Sequence, residues 1–246
     1  MDRRTRGRTL AIFGLLPLFT MMSLPQRAVA NIVLPATNNA TVQPGGPRAG
    51  VNGKQFFNME GSTNGTFASF GVVDFQSSPT NVQVTSLVLD LTQANAAFTQ
   101  NGALTFFLST DTTTGIEPVT SPLAYNAASL PTGLGTQLSP LFSLGTANFT
   151  QVSDGTVDAF TFSLSPAAAT YLKGQLMAGG RIRLVIAPND PTVAATYAGF
   201  SNTEFSGPQL TLVTPEPGTL GLACLAFLMV CGRRKRRMSV PSPISS

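Results

Sequence analysis

Nine carboxylates and five cations are scattered over residues 31–213, and the chain of 246 residues contains no histidine. Without imidazole there is no Ser-His-Asp or Cys-His centre, no ordinary His-ligated zinc and no acid–base work by that group. What remains is carboxylate chemistry. Asp154 and Asp158, in Ser153-Asp154-Gly155-Thr156-Val157-Asp158, are the candidates for a metal, because carboxylates and carbonyls in a tight loop suit calcium. The run lacks the full alternation of oxygen ligands, and a turn aspartate followed by a strand-edge aspartate is the plainer reading. Asp111, in Ser109-Thr110-Asp111-Thr112-Thr113-Thr114-Gly115, has no second copy to complete a carboxylate dyad and reads as a polar hairpin loop. Glycoside hydrolysis needs only two acids at a set separation, and nine acids supply such pairs by chance. The sequence therefore assigns no catalytic residue and no cofactor.

Sugar binding commonly uses exposed aromatic faces. The chain has no Trp, three Tyr and 17 Phe, a balance that points to core rather than platform. Tyr197, Phe200 and Phe205 lie near the last strands and form a candidate edge patch, with core or rim packing as the simpler alternative.

The overall charge of +4 misleads, because ten of the fifteen basic residues sit at the two ends. Between them Arg48, Lys54, Lys173, Arg181 and Arg183 face nine acids, a net −4. A mildly acidic body with scattered cations offers no footprint for nucleic acid. Both cysteines, Cys224 and Cys231, lie in the C-terminal apolar run, so the body has no disulfide to rely on and must be held by apolar burial.

The elements that would position these residues are strands. Low charge, many Thr, Ser, Asn and Gly, and short apolar alternations predict an all-β body, an antiparallel β-sandwich or jelly roll. Strands are expected over 54–59, 66–76, 82–92, 102–109, 138–144, 157–164, 181–187, 193–200 and 208–213. Phe160, Phe162 and Leu164 alternate, as do Ile182, Leu184 and Ile186 against Arg181, Arg183 and Val185. Asn101-Gly102, Asp154-Gly155 and Gly179-Gly180 supply turn chemistry. One short helix interrupts the pattern: Ser165 can cap it, Pro166 fits its first position, Ala167, Ala168 and Ala169 favour it, and Gly179-Gly180 ends it.

The ends read as addresses. Arg3, Arg4, Arg6 and Arg8, the apolar run Leu10 to Leu18, and Ala28-Val29-Ala30 have the order of a signal peptide over residues 1–30, cut after Ala30. At the other end Thr214-Pro215-Glu216-Pro217-Gly218 leads into an uncharged run, 219–232, which stops against Arg233, Arg234, Lys235, Arg236 and Arg237. Such a run rises about 21 Å as a helix, short of the ~30 Å hydrocarbon core, a gap that snorkelling cations and local thinning can close. The five cations predict a cytoplasmic C-terminus, and the leader independently sends residues 31–213 to the other side.

Residues 214–237 together resemble the PEP-CTERM sorting signal. The resemblance implies an exported protein held transiently in the inner membrane through a single spanning helix. It is then handed to an exosortase, a membrane-embedded processing enzyme, with Glu216 between Pro215 and Pro217 as the recognition element. The prolines bar helix and sheet bonding, which would leave the segment extended and accessible. The chain departs from the family pattern by continuing through Met238 to Ser246, a Ser/Pro-rich tail that reads as disordered. Residues 155–213 resemble, more loosely, the closing half of jelly-roll modules found in surface proteins and in non-catalytic, carbohydrate-binding-like domains, a likeness of fold that does not carry function with it.

The expectation is thus a non-enzymatic cell-surface or extracellular-matrix protein, associated with exopolysaccharide or biofilm. Its partners would be an exosortase, the inner membrane transiently and exopolysaccharide, with no nucleic acid. A carbohydrate-binding module is the alternative, and a carboxylate-based glycoside hydrolase a more distant one.

Overall fold

The computed structural model describes residues 29–215. Its longest strand is one that the apolar alternation does not reveal. β1 (Val29–Gln43) runs through an Asn-, Thr- and Pro-containing stretch ahead of the first expected strand, and it is the spine of the molecule. Its first half pairs antiparallel with β11 (Gln209–Pro215), in register Ile32↔Leu212 and Leu34↔Leu210. Its second half pairs with β4 (Phe70–Gln76), in register Ala40↔Val72. Between the halves the register slips at Ala36/Asn38, a bulge that bends a strand without ending it. Pro35, which lacks an N–H, stands where pairing with β11 ends and the handover begins.

Around this shared strand the hydrogen-bonded order is β7 (Leu141–Phe149), β6 (Gly102–Ser109), β9 (Arg181–Pro188), β4, β1, β11, β5 (Ser86–Thr92) and β8 (Val157–Ser163). All of these pairs are antiparallel. The two-residue strand β2 (Gly46–Pro47) adds to the end of β1. The halves on either side of β1 face one another: the Phe106 ring of β6 packs, tilted, against those of Phe160 and Phe162 of β8 with centroids 4.7 and 4.8 Å apart. Leu87, Leu89, Leu91, Leu210 and Leu212 from one half and Val73, Phe75, Leu104, Ile182, Leu184 and Ile186 from the other fill the same core. The result is an all-β, sandwich-like body.

A separate pair, β3 (Phe56–Glu60) with β10 (Ala194–Ala198), lays Phe57, Met59, Ala195 and Tyr197 onto that core. β3 crosses so close to β4 that a Cβ on Gly71 would stand 2.6 Å from the Phe57 ring. The expected strand over 193–200 is therefore shorter and belongs to this small sheet. The expected strand over 66–76 begins later, because 3-10 turns occupy Ser62–Phe67, and that over 138–144 begins and ends later, as β7.

Among the described residues the helical segments are α1 (Val51–Gln55), two 3-10 stretches and α2 (Pro166–Ala178). α2 follows its sequence signals closely. The Ser165 side chain accepts from the Ala168 N–H, Pro166 opens the first turn, and Gly179 closes the helix in the left-handed region at φ 61°. Leu172 and Leu176 are its fully buried residues facing the core, with Ala168. Among the described residues no helix is long and apolar enough to cross a membrane.

The half built on β4 and β9 is covered on both faces, which the sequence does not announce. On its outer face Phe70 and Val72 of β4, Val185 and Ala187 of β9, and Ala40 and Val42 of β1 meet a second apolar cluster. The cover is the connection 110–140, which supplies Ile116, Leu123, Tyr125, Leu134 and Leu138. Irregular connections longer than about 12–15 residues are uncommon unless they serve a purpose. Here one purpose is to roof a sheet.

Candidate functional site

The outer face of β4 and β9 changes character along its length. Successive outward positions on β4 are Phe70, Val72, Asp74 and Gln76; on β9 they are Ala187, Val185, Arg183 and Arg181. The apolar end lies under the 110–140 cover, and the polar end opens into a cleft. Asp74 and Arg183 are register partners, as are Gln76 and Arg181.

Arg183 is fully buried, so every donor it has must find an acceptor. Its Nε donates to Asp74 Oδ1 at 2.7 Å and its Nη2 to Asp74 Oδ2 at 2.9 Å, a fork on a carboxylate that is itself buried. Nη1 donates to the carbonyls of Asp111 and Thr114 at 3.2 and 2.8 Å. Arg181 adds a bond from Nη1 to the Thr112 carbonyl at 2.9 Å and lies 3.7 Å from Asp74 Oδ2. Two guanidinium groups thus clamp the backbone of 111–114 to the sheet. The alternation in the sequence would have put Arg183 in water; the clamp is why it is not.

Asp111 makes this possible locally. Partial burial pushes its carboxyl up, but four bonds outweigh that: the backbone N–H and hydroxyl of Thr113 and of Thr114 all donate to it. Its carboxyl is held well below the usual carboxylate range. The turn so formed presents its carbonyls to the arginines. Asp111 acts as a loop former.

The cleft beside this clamp has a volume of about 540 Å³. Its walls are Thr37 and Asn38 at the β1 bulge and Gly115 to Glu117 of the cover, above Gln76 and Arg181. Glu117 accepts from Asn38 Nδ2 at 2.8 Å and from Lys54 Nζ at 3.2 Å, bonds that lower its pKa.

Asp154 and Asp158 are placed in different local networks. Asp154 Oδ1 accepts from the Ala96 N–H at 2.8 Å, tying down a 3-10 turn. Asp158 Oδ2 accepts from the Tyr197 hydroxyl at 2.9 Å and from Gln93 Nε2 at 2.8 Å. Among the described residues no three metal-ligating side chains converge. Tyr197 is fully buried, its ring edge-on to Phe149 at 5.6 Å, and it does not belong to an exposed patch. Burial, then the charge of Asp158 and the bond to it, raise its phenol well above 10. Phe200 lies under the Lys54 ammonium at 5.8 Å, and Phe205 lines a smaller cleft of about 220 Å³ with Phe56, Asn95 and Asp154. The three aromatics of the expected edge patch are thus separated by role.

Of the residues assigned to the two addresses, the structure describes the inner margins. Val29 pairs with Pro215 and Ala30 with Thr214, so both ends of the body leave from neighbouring positions of one ladder. β11 runs through Pro215, whereas the proline pattern predicts that sheet pairing stops before it. Pro215 is tolerated because it is the last residue of the ladder, and β5 on the other side has already stopped at Val213↔Ser86. Ala28, Glu216, Pro217 and the cations Arg233, Arg234, Lys235, Arg236 and Arg237 lie outside the described residues, as do the leader before Val29, the apolar run 219–232 and the tail 238–246.

No protein-family model and no curated protein matches this chain. The functional reading therefore rests on its own residues.

Proposed function

We propose that the chain is an exported, non-enzymatic cell-surface or extracellular-matrix protein that an exosortase processes at its Pro215-Glu216-Pro217 signal. The observation that carries this reading is the order of residues 214–237: an acidic residue between prolines, an uncharged run, and five consecutive cations. The fold is consistent with it. The last strand ends at Pro215, so the signal begins where the paired body stops, and the residue after the expected leader cut, Asn31, lies opposite Val213. In this reading the basic cluster halts translocation and stays cytoplasmic. The jelly-roll-like body faces outward, and Glu216 is offered to the processing enzyme next to the membrane.

Replacing Glu216 by Ala tests this. Export is retained, and the unprocessed chain accumulates in the membrane fraction. Identical fractionation of Glu216→Ala and the parent protein overturns the assignment.

A second reading, a carbohydrate-binding module for extracellular polysaccharide, is favoured by one observation: the polar cleft between the β1 bulge and the 110–140 cover. The two readings are compatible, because sorting concerns the tail and binding concerns the body.

A further inference from the structure

We infer that the cleft over Gln76 and Arg181 is a binding site for neutral, hydroxyl-rich sugar units. The inference rests on the reading of the body as an extracellular module and names its ligand class.

Three irregularities of the fold converge on this cleft. The β1 bulge supplies Thr37 and Asn38, and bulges concentrate where a strand is re-aimed beside a site. The long 110–140 connection supplies Gly115 to Glu117. The buried Asp74–Arg183 pair lies beneath, anchoring that connection through backbone carbonyls. A buried ion pair is weak evidence for stability, since apolar replacements often do as well. What it contributes here is a fixed wall.

The chemistry of the lining selects the ligand. Both carboxylates that border the cleft are already partnered, Asp74 by Arg183 and Glu117 by Lys54, so the polar groups left to a ligand are those of Arg181 and Gln76. Arg181 bonds to protein through Nη1 alone, leaving Nε and Nη2 without a protein acceptor among the described residues. Gln76 bonds through Nε2, to Gly179 O at 2.7 Å and Ser77 O at 3.3 Å, leaving its Oε1 as an acceptor. Donor and acceptor thus stand on register-paired residues. That pairing suits a hydroxyl group, which both donates and accepts.

An added peptide strand does not fit. β4 is paired on both sides, by β1 and β9, and β9 by β4 and β6, so the floor has no open edge. A volume of about 540 Å³ lies within the range of small-ligand sites and accommodates a short stretch of polysaccharide.

The test uses the full chain, purified in detergent and run through native gels containing dextran, a mixed-linkage β-glucan, a galactomannan, alginate or polygalacturonate. At least one of the neutral polymers retards it, while the two acidic ones do not. Gln76→Ala and Arg181→Gln each weaken that retardation by roughly fivefold or more, as loss of a hydrogen-bonding partner should. Thermal unfolding of Gln76→Ala remains that of the parent, which separates lost binding from lost fold. Phe205→Ala, in the smaller cleft, leaves retardation unchanged. The inference is overturned by no retardation in any neutral polymer, by retardation in the acidic ones alone, or by retardation that Phe205→Ala removes and Gln76→Ala does not. None of these results depends on export, so this inference and the sorting assignment can fail separately.

Discussion

Ala30 stands opposite Thr214 in the antiparallel ladder between β1 and β11. The bond expected to be cut by the leader peptidase, between Ala30 and Asn31, therefore lies inside the ladder, just after the Val29↔Pro215 and Ala30↔Thr214 pairs. β11 is held on both sides, by β1 and β5, and it buries Leu210 and Leu212 completely. The body cannot close its core until residues 209–215 have arrived.

Processing must spare that strand. The mature protein should begin at Asn31 and end at Pro215 or beyond, as read by intact mass of the material recovered outside the cell. A form ending before Leu212 would contradict the assignment of β11 as an integral strand. Leu210→Ala and Leu212→Ala should each cost about 2–5 kcal/mol, measured by denaturant unfolding.

Breaking the Arg183 fork should be costly from either side. Asp74→Asn leaves Arg183 buried without a counter-charge, a loss of about 3–5 kcal/mol, and Arg183→Met leaves the buried Asp74 with only the more distant, half-exposed Arg181. The double replacement should lose much less than the two singles added together, because neither charge is then stranded. Additive losses would show that the two side chains do not act as a pair.

Two pH limits follow from the folded-state shifts. Burial and Asp158 raise the Tyr197 phenol, so its contribution is intact below the unfolded value near pH 10 and is lost as pH rises toward the folded one. Tyr197→Phe should remove this alkaline component, seen by tyrosinate absorbance against unfolding. Asp111 is shifted down by Thr113 and Thr114 despite some burial, so its contribution is intact above the unfolded value near pH 4 and fades as pH falls below it. Hydrogen exchange should report the first opening of 110–140 in acid, and Asp111→Asn should bring that opening to neutral pH.

Gly71 marks the closest approach of β3 to the sheet. Gly71→Ala places a methyl group against Phe57 and Met59 and should destabilise the protein by about 1–3 kcal/mol. Adding Phe57→Leu should recover part of the loss, since the clash is with the ring edge. No recovery would place the strain at the Met59 sulfur or in the backbone of β4 instead.

The helix cap is the simplest case. Ser165→Ala removes the acceptor for the Ala168 N–H and should cost about 0.5–2 kcal/mol, with α2 fraying first.

Local rules carried far in this chain where a residue's role depends on its immediate neighbours. α2 runs from Pro166 to a left-handed Gly179 because cap, first-turn proline and C-terminal glycine are fixed within a few residues of the backbone they serve. β6 spans 102–109 and β8 begins at 157 for the same reason, each a period-two alternation opened by a turn, Asn101-Gly102 and Asp154-Gly155. The absence of histidine and the charge order at the two ends likewise need no coordinates. Tertiary structure alone decided the rest. β1 has little alternation to read because its two halves serve different partners across a bulge. Arg183 looks like a solvent-facing residue until the 110–140 connection roofs it and lends it carbonyls. Tyr197 reads as core or rim packing with an exposed edge patch as the alternative, and only β10 lying on the core decides between them. In each case the deciding partner comes from far along the sequence (Asp74 is 109 residues from Arg183), and no local pattern encodes a neighbour that only folding brings into contact.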